Sequence, residues 1–187
     1  MDQLLDDSWY KQRGVAADVY TELQREEAAL NLDTFRLIDS AAGQQNTYRR
    51  YLVSWMQEVG RNLEETWSKR PYSLSICTLH TAVYYLDAYL AKHQVPCTEL
   101  LLTAAAALCL AAKMEEMECR VPKFGVLIAR LAMDNVYHEK AELAVRERQM
   151  LLAFHWRILV PTAPLFLPYF LTLAATDLPY YSTTLHN

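Results

Sequence analysis

LLLTAAAALCLAAK, residues 100–113, followed at once by Met114-Glu115-Glu116-Met117-Glu118, is the stretch that decides the fold. From Leu100 to Ala112 no side chain is charged and only Thr103 carries a hydroxyl. A helix that is apolar on every side has no face to give to water, so it belongs inside a ring of other elements. Ala104, Ala105, Ala106 and Ala107 favour helix, and their small side chains let neighbouring helices approach closely. The run falls short of the roughly 20 apolar residues that span a bilayer. It ends at a lysine and a cluster of acids, so it reads as a buried scaffold that delivers charges to a surface.

Working outward, the rest of the chain also carries helical spacing. Over residues 7–30, Trp9, Val15, Ala16, Val19, Tyr20 and Leu23 recur at helical intervals, with Asp6, Asp7 and Ser8 as candidate caps. The polar stretch DSAAGQQN at 39–46 reads as a linker. A second helix shows a broad apolar face at Tyr48, Tyr51, Leu52, Trp55, Met56, Val59 and Leu63, and Lys69-Arg70-Pro71 ends that unit. Ser73 is the expected cap of a third helix lined by Ile76, Leu79, Val83, Leu86 and Leu90. Val95-Pro96 breaks it, and Thr98 is the expected cap of the central helix, with Glu99 in its first turn.

Beyond the acids, Val121-Pro122-Lys123 opens a shorter helix through Phe124, Leu127, Ile128 and Leu131. Another covers about 139–155, with Leu143, Val145, Met150, Leu151 and Phe154. Pro161, Pro164 and Pro168 punctuate a last apolar helix at 165–175. No strand alternation, glycine-rich phosphate loop or repeat is visible. The expected class is all-α: five helices after an N-terminal one.

Composition narrows the function. With 187 residues the chain is one domain, or a domain plus a fragment, and 52% hydrophobic residues suffice for a sizeable core. A net charge of -4 gives no electrostatic reason to expect nucleic acid or an anionic membrane. Cys77, Cys97, Cys109 and Cys119 show no C-x-x-C spacing, which argues against zinc and for a reduced, intracellular setting. The acidic N-terminus lacks the apolar segment of a signal peptide. His80, His93, His138, His155 and His186 are scattered, and no Ser, Cys or carboxylate pair has a partner at catalytic spacing. His80 reads as a half-buried structural residue. No enzyme activity, metal or cofactor is expected.

Four motifs carry a family resemblance. YRRYLVSWMQEV, TLHTAVYYLDAYL, ALCLAAKMEE and FHWRILVPTAPLFL stand in order along residues 48–167. Together with the alanine-rich central helix they resemble the cyclin box. The family's five most characteristic positions fall on Arg49, Asp87, Leu102, Lys113 and Glu147, each with the expected residue. The resemblance covers about 48–173 and departs at the link between Gly60 and Cys77, which is longer than usual. It implies an N-terminal helix and linker at 1–46, a cyclin box at 47–160 and, at 161–187, the truncated start of a second cyclin-like fold. Nuclear and cytoplasmic localisation follows from the family alone, since no basic cluster supports it.

Each of these residues also has a plain structural reading. Asp87 lies mid-helix among Leu86, Ala88 and Tyr89, where a carboxylate is costly unless paired, and an arginine fork is the usual solution. The resemblance implies that Arg49 and Asp87 pair and clamp two helices; the alternative is two solvated side chains. Lys113 at a helix C-terminus complements the helix dipole by about 0.3–1 kcal/mol, which alone would explain it. Glu147, within Arg146-Glu147-Arg148, alone reads as part of an exposed charged face. The resemblance implies that Lys113 and Glu147 bond backbone groups of a cyclin-dependent protein kinase beside its regulatory C-helix. Met114, Leu151, Trp156 and Ile158 would then form an apolar groove for that helix, a physically sensible recognition mode. Glu115 and Glu116 would be rim contacts, or simply solvated.

A second expected surface is a docking patch for substrate peptides. Leu52, Trp55 and Glu58 are spaced i, i+3, i+6, so they share one helical face. Tyr48 stands where the family has methionine, and Leu101 replaces a peptide-gripping glutamine, which weighs against docking; the alternative is that Leu52 and Trp55 are core. Arg-x-x-Leu occurs at 49–52 and at 148–151, inside expected helices, and no degradation signal is assigned there.

The expected function is therefore a regulatory subunit that activates a kinase by positioning its C-helix. Two alternatives stand beside it: a cyclin-fold scaffold, or a shortened form that binds a kinase without activating it. A shortened form would leave Leu165, Phe166, Tyr169, Phe170 and Leu173 without cover and prone to self-association.

Overall fold

The computed structural model describes residues 8–29, 43–61, 63–64 and 69–177. Among them, helices follow one another as α1 (Ser8–Ala29), α2 (Gly43–Arg61), α3 (Ile76–Lys92), α4 (Leu100–Glu115), α5 (Phe124–Met133), α6 (Lys140–Ala153) and α7 (Ala163–Asp177). Short 3-10 turns, Cys97–Glu99 and Glu118–Arg120, bracket α4. Between α2 and α3, the two-residue strands β1 (Leu63–Glu64) and β2 (Pro71–Tyr72) pair antiparallel, with Leu63 opposite Tyr72. Strands this short leave no alternation to read in a sequence.

The core is built around α4. Every residue from Leu100 to Ala112 is buried, and the four alanines are 0% exposed. α3 and α6 pack most extensively against it, with α2 and α5 completing the ring. With the turn before it, Cys97–Glu115 is 19 residues, long and apolar enough by length and composition to cross a membrane, yet 72% of it is buried within the protein. Length alone therefore does not set it apart from a membrane span; its burial among other helices makes it the core.

Several boundaries differ from expectation for local reasons. Ser75, not Ser73, caps α3: its Oγ accepts the Thr78 amide at 3.1 Å, while Ser73 Oγ donates to the Arg61 carbonyl at 3.0 Å. Thr98 does not cap α4, because it lies inside the 3-10 turn. Instead Thr103 Oγ1 donates back to the Glu99 carbonyl at 2.7 Å, and Arg146 of α6 binds the Glu99 carboxylate and the Thr103 hydroxyl. α2 begins at Gly43, inside the stretch expected to be a linker, whose residues 39–42 lie outside the described residues. It ends before Leu63, where Gly60 permits a close approach. A Cβ at Gly60 would meet Leu79 at 3.2 Å and Leu74 at 3.3 Å, and the Gly60 carbonyl accepts the Leu74 amide at 2.8 Å.

The expectation that α7 lacks cover holds for Leu165 and Phe170, which are exposed, and is corrected by α1 at Phe166 and Tyr169. Tyr20 stacks on Tyr169 (ring centroids 4.1 Å apart, 13° between planes). Phe166 and Phe170 meet the same ring edge-on, at 5.9 and 5.7 Å. Leu165, Leu167, Phe170 and Leu171 keep exposed surface, and the side chain of Leu173 lies outside the described residues.

Candidate functional site: the end of the central helix

α4 delivers Lys113 to the surface as its last-turn base. Its Nζ lies 2.6 Å from Glu147 Oε1 of α6 and 5.1 Å from the centroid of the Phe124 ring. The Lys113 side chain is 43% exposed and that of Glu147 only 10%, so the pair stands at a boundary with the carboxylate on the dry side. The sequence reading assigned each side chain its own partner bonds; the structure brings them together first. An ammonium has three N–H donors and a carboxylate two oxygens, so this bond leaves both able to bind further groups.

The following acids are neither free nor simply solvated. Glu116 Oε1 accepts from the Ser75 amide and from Thr78 Oγ1, both at 2.7 Å. Glu115 Oε1 accepts from Thr81 Oγ1 at 3.0 Å. An anion at the N-terminus of α3 satisfies an orphan amide and complements the helix dipole. The acid cluster therefore ties the end of α4 to the start of α3, and Glu115, still exposed, stays open to further contacts at the rim. These two carboxylates, after burial itself, also hold the Cys77 thiol above its ordinary range.

Beside them, Met114, Glu115, Ile158, Leu159, Val160, Pro161, Leu165 and Glu26 line a cleft of about 230 Å³. Met114 and Ile158 are thus neighbours in one cleft, as a groove requires, whereas Leu151 and Trp156 do not line it. Leu151 packs half-buried against the core. Trp156 is 64% exposed at the end of α6, where His155 and Trp156 both take left-handed backbone (φ 51° and 62°). Below this loop, the hydroxyl of the buried Tyr85 donates to the Ile158 carbonyl, and burial pushes the Tyr85 pKa upward. Sequence reasoning missed Glu26, Pro161 and Leu165 at the cleft and the Phe124 ring under Lys113; no local pattern marks contacts so distant in sequence.

Away from this face, Arg49 and Asp87 form a two-point fork joining α2 to α3 (Nε to Oδ1 2.8 Å, Nη2 to Oδ2 2.7 Å). The bond to Asp87 raises the Arg49 pKa further. Leu102, the remaining member of the five positions, is buried in α4.

The docking patch is not assembled as expected. Leu52 and Trp55 are 1% and 5% exposed and belong to the core, leaving Glu58 exposed without an open apolar floor. The indole Nε1 of Trp55 donates to Asp134 Oδ2 at 2.7 Å. The exposed rings nearby are Tyr48 and Tyr51, and Leu101 is buried. His80 is exposed rather than half-buried. Among the described residues, no group of three or more His, Cys, Asp or Glu side chains is placed to hold a metal.

The family described as "Cyclin, N-terminal domain" matches residues 18–159. The chain belongs to the cyclin family. Relatives include the cyclin-J-like protein of Mus musculus, 32% identical over 170 residues (89% of this chain, 40% of the relative). Human cyclin-J is 29% identical over 185 residues, 98% of this chain and 44% of the relative. A G2/mitotic-specific cyclin of Antirrhinum majus is 31% identical over 129 residues, 69% of this chain and 24% of the relative. The chain thus spans less than half the length of these relatives. Within the cyclin fold, short features resemble cyclin J in particular: Trp9-Tyr10, Ala16-Ala17-Asp18, Arg49-Arg50-Tyr51, Val121-Pro122-Lys123, and Trp156 followed by Pro161-Thr162. The cyclin match takes in the second half of α1 as well as the ring around α4.

Proposed function

We propose that this cyclin domain is the kinase-binding part of a regulatory subunit, and that it activates a cyclin-dependent protein kinase by positioning the kinase C-helix. The observation that carries this reading is the Lys113–Glu147 pair, half in solvent, on the same end of α4 as the cleft between Met114 and Ile158. A charged pair beside an apolar cleft suits a helix that presents both an apolar anchor and its backbone ends.

Phosphoryl transfer by protein kinases requires a Lys–Glu ion pair whose glutamate sits on the C-helix. A subunit that binds the inward position of that helix better than the outward one shifts the equilibrium toward the active kinase. In this scheme the chain does no chemistry of its own. Its rigid core, with α4 buried on all sides, fixes where Lys113 and Met114 stand.

The test is co-purification with cyclin-dependent kinases followed by a kinase assay, comparing wild type with a Lys113→Ala plus Glu147→Ala variant. Binding and activation by wild type, both lost in the variant, is the expected result. Binding without activation would leave a tethering role. No binding to any kinase of the class would sink the reading.

A further inference from the structure

A cavity of about 470 Å³ lies where α2, α3 and the start of α7 meet. Its size is within the roughly 300–1,000 Å³ of small-molecule sites. Val53, Met56, Ile76, Leu79, Val83 and Tyr84 give it an apolar lining. Leu52 and Trp55 do not line it, nor do Lys113 and Glu147, so it is neither the expected docking patch nor the charged pair at the end of α4.

The polar end of the cavity is at α7. Thr162, the residue before that helix, lines the cavity and is 7% exposed, and its hydroxyl is buried without a hydrogen-bond partner. Such a group is costly, and the protein itself does not supply what would satisfy it. Pro164 has no amide, and the Leu165 amide turns back to the Thr162 carbonyl at 2.8 Å. Among the described residues, the Thr162 hydroxyl and the Ala163 amide are therefore donors left over at the positive end of a 15-residue helix. Gln57 and His80 also line the space, both exposed. Asp87 lines it too, but its charge is taken up by the two-point fork from Arg49, whose Nη1 is left for another acceptor. The cavity thus offers hydrogen-bond donors at one end and no uncompensated carboxylate.

We infer that this cavity binds a small amphipathic carboxylate of the fatty-acid class. The Thr162 hydroxyl and the Ala163 amide hold its head at the N-terminus of α7, where Arg49 and His80 line the same space. Its chain lies against Val53, Met56, Leu79 and Val83. The anion gains from the helix end, and the chain gains from leaving water. A neutral apolar molecule would collect only the second gain. The kinase-binding reading is independent of this site, and either can fail without the other.

Titration of the full chain with octanoate, octanol and acetate, followed by amide shifts in nuclear magnetic resonance spectra, tests it. Octanoate should bind with a Kd below about 1 mM and shift Ala163 and His80. Octanol should bind about tenfold more weakly and acetate not measurably, because each lacks one half of the ligand. Thr162→Val removes a hydroxyl that has no partner in the free protein, so the unfolding midpoint should not fall. The same variant should weaken octanoate about five- to tenfold and leave octanol unchanged. Ile76→Trp, at an exposed position of the lining, should block both. Equal affinity for octanoate and octanol, or wild-type octanoate binding in Thr162→Val, would overturn the carboxylate site. Octanoate binding that survives Ile76→Trp would place it elsewhere, on the exposed apolar face of α7, and overturn the cavity as its site. Absence of octanoate binding, with a neutral apolar peptide bound instead and displaced by Ile76→Trp, would assign the cavity to a protein segment and overturn the inference. No binding of any of these probes would overturn it as well.

Discussion

Cys109 reports how dry the core is. Its Sγ lies 3.8 Å from the Pro122 carbonyl in the middle of α4, with no exposed surface. Burial pushes the thiol up to about 12; nearby Glu147 adds to this and Lys113 opposes it. The thiolate is the reactive form, so at pH 8 a thiol reagent should modify the exposed Cys97 quickly and Cys109 only when the protein opens. Rapid labelling of Cys109 in folded protein, followed by mass spectrometry, would show the ring around α4 to be loose. The folded value lies above the ordinary thiol value of 9.0, so the folded state keeps its proton where the unfolded chain has lost it. The associated stability is complete below about pH 9 and is lost as pH rises toward 12. Urea melts should therefore fall between pH 9 and 11, and Cys109→Ala should flatten that decline. At this scale much was legible: a carboxylate among apolar neighbours asks for an arginine, and Asp87 has Arg49. The direct Lys113–Glu147 bond was not, because each side chain had a sufficient explanation on its own helix.

Among the elements, α4 was legible because composition leaves a helix without a polar face only one place to be. Its alanines set how closely α3 and α6 can approach. Ala106→Leu should cost about 1–3 kcal/mol by forcing those helices apart, measured by denaturant unfolding, whereas an unchanged midpoint would mean that the interior has room to spare. The loop after α6 shows the opposite case. His155 and Trp156 hold left-handed backbone without a glycine to signal it. Non-glycine residues in that region cost on the order of 1–3 kcal/mol each, so His155→Gly should raise stability by about 1 kcal/mol. No gain on thermal unfolding would mean that the loop relaxes the strain by other means. The cap of α3 was misplaced for a similar reason: Ser73 and Ser75 are equally good by type, and only the carbonyl of Arg61 and the carboxylate of Glu116 decide between them.

For the whole molecule, the arrangement that local pattern cannot supply is the packing of α1 on α7. Tyr20 and Tyr169 meet across most of the chain, and stacking of two rings leaves no signature near either. Sequence reading correctly found the apolar face of α7 and lacked only what covers it. The cover is thin, since Leu167 and Leu171 remain more than half exposed beside the aromatic cluster. Deleting residues 8–29 should leave the ring around α4 folded while uncovering Phe166 and Tyr169 fully. A contiguous apolar patch of several hundred Å² favours association, so the shortened protein should sediment as dimers or larger species at about 100 μM. Replacing Phe166 and Phe170 by serine in the same background should reverse that association, because those two rings frame the face that Tyr20 leaves open. Tyr20→Ala in the full chain should lie between these extremes, since the rest of α1 still shields part of α7. If the deletion variant remains a monomer at that concentration, with an unchanged unfolding midpoint, then α1 neither covers nor stabilises α7, and the aromatic cluster is an incidental contact between two exposed helices.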